Sequence, residues 1–200
     1  MLTDPAVQQL THLVKRIKFN NCEVLNYSSK HETKFPKEVI LKVKAYDPEI
    51  KLPINMDTWF KEREIDIVNK RKGNKKYDAV ITGDYLESTC EFFQRFEQIY
   101  NSCKQDGYII IDLPFSVNSG WFSYQPNLFK QIASQNNCNF SYFKVMDHAG
   151  QFPIALDSTK RLTDTVLRET LYKYRNTVNM RINVTLHKTT SEPFSFKDPK

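Results

Sequence analysis

Residues Tyr77 to Pro114 read YDAVITGDYLESTCEFFQRFEQIYNSCKQDGYIIIDLP, and this run decides the fold. Tyr77-Asp78-Ala79-Val80-Ile81-Thr82 is a short apolar segment of strand length. Glu87 to Lys104 follows, with Phe92, Phe93, Phe96, Ile99 and Tyr100 on one side of a helix. Asp106-Gly107 turns the chain, and Tyr108 to Leu113, the most hydrophobic strand of the protein, runs out at Pro114. Continuous apolar strands bracketing an amphipathic helix form the repeating unit of a parallel sheet that is covered on both faces.

The same alternation extends outward in both directions. Toward the amino end, Thr3-Asp4-Pro5 opens a helix whose face is Val7, Leu10, Leu13, Val14 and Ile17. Glu23 to Tyr27 is a first strand, and Val39 to Tyr46 alternates apolar residues with lysine as a second. Met56 to Val68 fits a helix, with Asp66-Ile67-Val68 equally readable as a short strand. Toward the carboxyl end, Pro126 to Asn136 is a helix, Phe140 to Met146 a strand, 160 to 176 a polar helix and Asn179 to His187 an alternating strand. This order predicts one doubly wound α/β domain over residues 1–188. Its sheet is mostly parallel, with helices on both faces and an antiparallel closing strand at the sheet's end. Residues 189–200 are expected to form a loose tail.

Composition narrows the function classes. The 200 residues are 40% hydrophobic and 13% aromatic, which suits a buried core and argues against disorder. The net charge is +6, with a dense run at Lys70, Arg71, Lys72, Lys75 and Lys76. No aromatics interleave with it, so the stacking platform of a single-strand binder is absent, and the run reads first as a solvated loop. Nucleic acid is therefore a weakly supported partner. Cys22, Cys90, Cys103 and Cys138 are widely spaced, so no zinc site and no metal is expected. With no signal peptide or long apolar run, free buried thiols in a reducing cytoplasm are the expectation, with no membrane partner.

In doubly wound folds ligands sit at the carboxyl ends of the strands. Four segments occupy such places: Asn26 to Thr33, Asp47, Thr82 to Glu87, and Asp112 to Phe115. Asp47 lies 22 residues beyond Leu25, at the spacing of an acidic residue that accepts hydrogen bonds from a ribose diol; a strand-end cap is the other reading. Asp84 and Glu87 are either ligand-edge residues or acids that favour a helix amino terminus.

The chain resembles the class I S-adenosylmethionine (SAM) methyltransferases of bacterial and phage type. The likeness rests on the order Val24-Leu25-Asn26-Tyr27, Ala45-Tyr46-Asp47-Pro48, Tyr77-Asp78-Ala79-Val80-Ile81, Tyr85-Leu86-Glu87-Ser88 and Lys104 to Ile111. It covers roughly residues 20 to 147, with Trp121 to Pro126 similar to a segment before the next helix. It implies a Rossmann-like fold, SAM as cofactor, and cofactor contacts from Asn26, Tyr27, Ser28, Asp47, Asp84, Tyr85 and Glu87. Asp147-His148 ends a strand on the ligand side, where a base would suit methyl transfer to a hydroxyl since imidazole titrates near neutrality; a satisfied or exposed histidine is the other reading. The family's glycine-rich loop is degenerate here: Asn26-Tyr27-Ser28-Ser29-Lys30-His31-Glu32 holds no glycine to bring backbone close to a ligand. Two functions follow. One is a SAM-dependent methyltransferase of a small polar or glycan acceptor. The other is an inactive relative serving as a binding or assembly subunit.

Overall fold

A computed structural model describes residues 4–17, 19–27, 56–87, 89–114, 124, 126–147, 154–155 and 180–197. The expected strand at Val39–Tyr46 and the expected helix at 160–176 lie outside these residues. Four helices are described: α1 (Asp4–Ile17), α2 (Met56–Lys61), α3 (Phe92–Ser102) and α4 (Pro126–Gln135). The strands are β1 (Cys22–Asn26), β2 (Ile65–Val68), β3 (Tyr77–Ile81), β4 (Cys103–Pro114), β5 (Cys138–Asp147), β6 (Ile154–Ala155) and β7 (Met180–Lys188).

These strands form one sheet in the order β2-β1-β3-β4-β7-β5-β6. The β2–β1, β1–β3 and β3–β4 pairs are parallel, and β7 runs antiparallel to both its neighbours. Strands β1 to β5 therefore all point one way. The fold is Rossmann-like, with the antiparallel strand near the carboxyl end of the chain. That strand does not close the sheet's end, as the sequence suggested. It is inserted between β4 and β5, where Ile182, Val184 and Leu186 are fully buried.

Strand geometry sends alternate side chains to opposite faces, and each face has its own helices. Leu25, Val80, Ile109, Ile111 and Ile182 join Phe96, Ile99 and Tyr100 of α3 and Phe129 and Ile132 of α4. Val24, Ala79, Ile81 and Ile110 join Ala6, Val7, Leu10 and Leu13 of α1 and Phe60 of α2. The ambiguous segment Met56 to Val68 resolves as helix then strand, and Glu64 at φ 54° makes the break. Asp106-Gly107 is a bulge within β4 and not a turn ahead of it: the register with β3 slips between Tyr77 and Ala79, with Asp106 at φ 60°. A Cβ on Gly107 would lie 2.7 Å from Cys103 Sγ and 2.8 Å from the Asp78 carbonyl oxygen, so the bulge needs glycine.

On the α1 face β7 is polar. Asn183 and Thr185 are buried and meet Gln9, which donates to Asn183 Oδ1 (3.2 Å) and the Ile111 carbonyl (3.3 Å). Thr185 donates back to Gln9 Oε1 at 2.7 Å. This buried network fixes the seat of α1 across β4 and β7.

The segment after Thr189, expected to be loose, is docked through residue 197. Asn136 takes both backbone groups of Ser195: Nδ2 donates to its carbonyl and Oδ1 accepts from its N–H, each at 2.8 Å. Gln135 does the same for Lys197, at 2.9 and 2.8 Å. Phe194 packs on Phe96 and Tyr100, and Phe196 stacks on Phe93 at 4.2 Å between ring centres. Two amide side chains thus act as a substitute strand for the strap, and its two phenylalanines cover apolar surface of α3.

Candidate functional site

The parallel register lines up the carboxyl ends of four strands. Leu25 pairs with Val68, which sets Asn26 beside Asn69. Asn26 pairs with Ile81, and the ladder runs on through Tyr27 N–H to the Ile81 carbonyl (2.9 Å). Ile81 pairs with Ile110, and Thr82 N–H donates to the Ile110 carbonyl (2.9 Å), which brings Gly83 level with Asp112. Asn69, Asn26, Tyr27, Thr82, Gly83, Asp84 and Asp112 thus share one edge.

Several of these residues have conspicuous surroundings. Asn26 is buried and its amide donates to Asn69 Oδ1 at 3.0 Å, tying the β1 and β2 tips together. Thr82 is fully buried and its hydroxyl has no partner among the described residues. Buried hydroxyls normally find one, so a water or ligand atom is the natural complement. Gly83 has φ +49°, which puts a left-handed, side-chain-free turn at the β3 tip. Asp84 is half-buried in the 3₁₀ turn that follows, Gly83–Leu86.

Tyr27 and Tyr85, both expected to face a cofactor, face each other. Their rings stack at 4.9 Å and 18°, and Arg95 lies over the Tyr85 ring at 4.9 Å. Tyr85 O–H donates to Gln98 (2.8 Å), and Arg95 donates to the Tyr85 carbonyl (2.8 Å). Tyr27 O–H lies 3.3 Å from Ser102 Oγ, whose own proton goes to the Gln98 carbonyl at 2.6 Å. The first side chain of the glycine-free loop is therefore anchored on α3.

Glu87 belongs to an ion triad. Arg181, at the start of β7, donates to Asp112 Oδ1 (2.8 Å) and the Asp112 carbonyl (3.3 Å), and reaches Glu87 Oε2 at 3.4 Å. Asp112 is buried, and Arg181 is 17% exposed. Burial works against the guanidinium charge, but Asp112 and then Glu87 more than restore it, so its pKa is raised. Among the described residues, one cation thus stands between two carboxylates at the ligand edge. Nothing in the periodicity of β7 marks Arg181 for this duty.

Asp147 ends β5, paired with Met180, and β5 runs parallel to β4, so its backbone reaches the same edge. It stands three strands from β3, about 14 Å away. Ser28, Asp47 and His148 lie outside the described residues. β1 is flanked by β2 and β3, so Asn69 is the neighbouring tip on the side away from β3. Asn69 sits within a polar, lysine-rich loop, and only the pairing of β2 with β1 brings it to the edge.

Beyond the triad, where α3 begins, lies a cavity of about 480 Å³ lined by Cys90, Glu91, Phe92, Phe93, Gln94, Tyr124 and Leu128. Tyr124 O–H donates to the Leu86 carbonyl at 2.6 Å, and burial, then Glu87, raises its pKa, so it stays a donor. No cluster of metal-ligating side chains occurs among the described residues. No described helix is long and apolar enough to cross a membrane.

No family model and no curated protein matches the chain. Solved structures resemble it. One is a methyltransferase described as putative from Bacillus halodurans, at 8% identity and TM-score 0.46, covering 92% of this chain and 99% of that one. Another is a SAM-dependent methyltransferase from Archaeoglobus fulgidus, at 16% identity and TM-score 0.40, covering 90% and 94%. A third is TehB from Haemophilus influenzae, at 11% and 0.45, covering 92% and 63%. These are likenesses of architecture; the assignment of function rests on the residues of the edge.

Proposed function

We propose that the chain is a SAM-dependent methyltransferase of a small acceptor, with the cofactor held along the edge formed by the ends of β2, β1 and β3. The observation that carries this reading is the in-register row Asn69, Asn26, Thr82, Gly83 and Asp84. Asn69 and Asp84 offer an amide and a carboxylate to a polar nucleoside, above a floor made by the buried Asn26, Thr82 and the side-chain-free Gly83 turn. In this reading Asp84 and Asn69 hold the adenosine end, and Ser28 and Asp47 complete the contacts from the segment after β1. Tyr27 and Tyr85 form the wall of the site rather than contacts within it, and Glu87 acts through Arg181. SAM brings an already activated methyl group, so the protein's task is to align the acceptor with it. Asp147, whose backbone ends β5 at the same edge, and His148, which follows it in sequence, are assigned as the acceptor's base. The acceptor class favoured by the sequence is a small polar molecule or glycan, met in the cytoplasm.

The competing reading, a methyltransferase-like module without catalysis, is favoured by one observation. The Tyr27–Tyr85 stack commits the start of the cofactor loop to internal packing. Calorimetric titration with SAM and S-adenosylhomocysteine separates the two. Saturable heat that is lost in Asp84→Ala and weakened in Asn69→Ala is the expected outcome. Absence of heat at millimolar ligand, with the variants as folded as the parent, assigns the chain to the second class.

A further inference from the structure

The cavity at the start of α3 does not suit the polar acceptor expected from sequence. Phe92, Phe93, Tyr124 and Leu128 supply most of its described wall, and at about 480 Å³ it falls in the range of small-molecule sites. A second cavity of about 350 Å³, lined by Phe93, Gln94, Glu97, Phe194 and Phe196, shares Phe93 and Gln94 with it. Phe93 is 40% exposed, an unusual amount for a phenylalanine that meets Phe92 edge to face and stacks on Phe196.

Charge selects the occupant. The chain carries 29 lysines and arginines against 23 acids, yet the charged residues lining the two cavities are Glu91 and Glu97 alone among the described residues. Neither carboxylate has an ion-pair partner among the described residues. Glu87 acts on Tyr124 as well, raising its pKa after burial does. Aromatic faces also attract cations through their quadrupole. A neutral apolar ligand leaves the carboxylates unused, and an anion meets repulsion.

We propose that the paired cavities around Phe93 form a binding site for a hydrophobic organic cation: an amine with an aromatic or aliphatic body, seated between Phe92, Tyr124 and Leu128 with its ammonium toward Glu91. The site stands whether or not the chain binds SAM.

Cys90 on the rim supplies a built-in reporter. It is exposed, whereas Cys22, Cys103 and Cys138 are buried, with burial pushing their thiols up to about 12, about 12 and about 11. Ellman's reagent at pH 8 will therefore label Cys90 first. Dansylcadaverine, an aromatic amine, is the probe. The expected result is saturable, blue-shifted dansyl fluorescence together with slowed labelling of Cys90. The anionic 1-anilinonaphthalene-8-sulfonate, of comparable ring size, binds more weakly. Leu128→Trp fills the larger cavity and removes binding. Glu91→Gln with Glu97→Gln, both on the surface, weakens dansylcadaverine by about three- to tenfold and leaves the anion unweakened. Equal binding of cation and anion, or dansylcadaverine affinity unchanged in the double glutamine variant, overturns the proposal. The surface pair keeps the test decisive even if Leu128→Trp unfolds.

Discussion

Arg181 stands between two carboxylates with one charge to share. Asp112 is 5% exposed and Glu87 25%, so the two contacts are unequal in worth. Arg181→Met removes the ion pair and both hydrogen bonds that Arg181 gives to the buried Asp112 and should cost about 3 kcal/mol. Glu87→Gln breaks a longer, wetter contact and should cost about 1 kcal/mol or less. Urea denaturation of both variants checks this ranking, and equal costs would mean that the triad is not held together through Asp112. At this scale the sequence was only partly legible. The place of Asp84 at the strand edge was legible because an acid after a buried strand sits at a predictable position. Tyr27 and Tyr85 were found as neighbours of that edge, but which way a ring turns is decided by Gln98 and Ser102, more than a turn of helix away. Arg181 and Asn69 depend on strand pairing that no local pattern records.

The strap over α3 and α4 is an element without secondary structure of its own. Its stability comes from Asn136, which is 4% exposed and holds both backbone groups of Ser195. Asn136→Ala leaves those two groups without their partner, while the Ile132 carbonyl keeps the backbone N–H of residue 136, and should cost about 2 kcal/mol. Hydrogen exchange at Ser195 and Lys197 should accelerate ahead of β4, and unchanged exchange there would show that the phenylalanines alone hold the strap. A polar, proline-containing segment looks loose because its partners are two amide side chains at the end of α4. By contrast, β3, α3 and β4 were legible because apolar length and spacing fix their type before any tertiary contact forms. The site of β7 was not, since an alternating strand fits an edge and an interior antiparallel place equally well.

Across the whole molecule, burial of weak acids sets the response to alkali. A free thiol ionises near 9.0, but burial pushes the folded Cys22 and Cys103 up to about 12 and Cys138 up to about 11, with Lys188 pulling the last two back. Tyr100 is raised as well, also chiefly by burial. The unfolded chain therefore loses these protons first as the pH rises. The contribution is intact below pH 9 and declines as pH climbs toward the folded values, by about 1.4 kcal/mol per pH unit for each proton. Lys188 acts in the opposite sense. Its amine donates to the Tyr100 and Cys103 carbonyls, burial lowers its pKa below 10.5, and its share of stability grows as pH rises to that value. Three thiols and a phenol outweigh one amine. Under reducing conditions the urea midpoint should hold steady to pH 8 and then fall between pH 9 and 10.5; a flat or rising profile would contradict this balance.

The Gln9–Asn183–Thr185 network has a consequence for how the chain is made. Gln9 and Thr185 are 176 positions apart. At ribosomal rates of about 5–20 residues per second, α1 emerges about 9 to 35 seconds before the strand that completes its seat. Through that interval its apolar stripe and Gln9 lack their final neighbours. Newborn chains arrested ahead of β7 are thus the form in which α1 would be most open to chaperone capture.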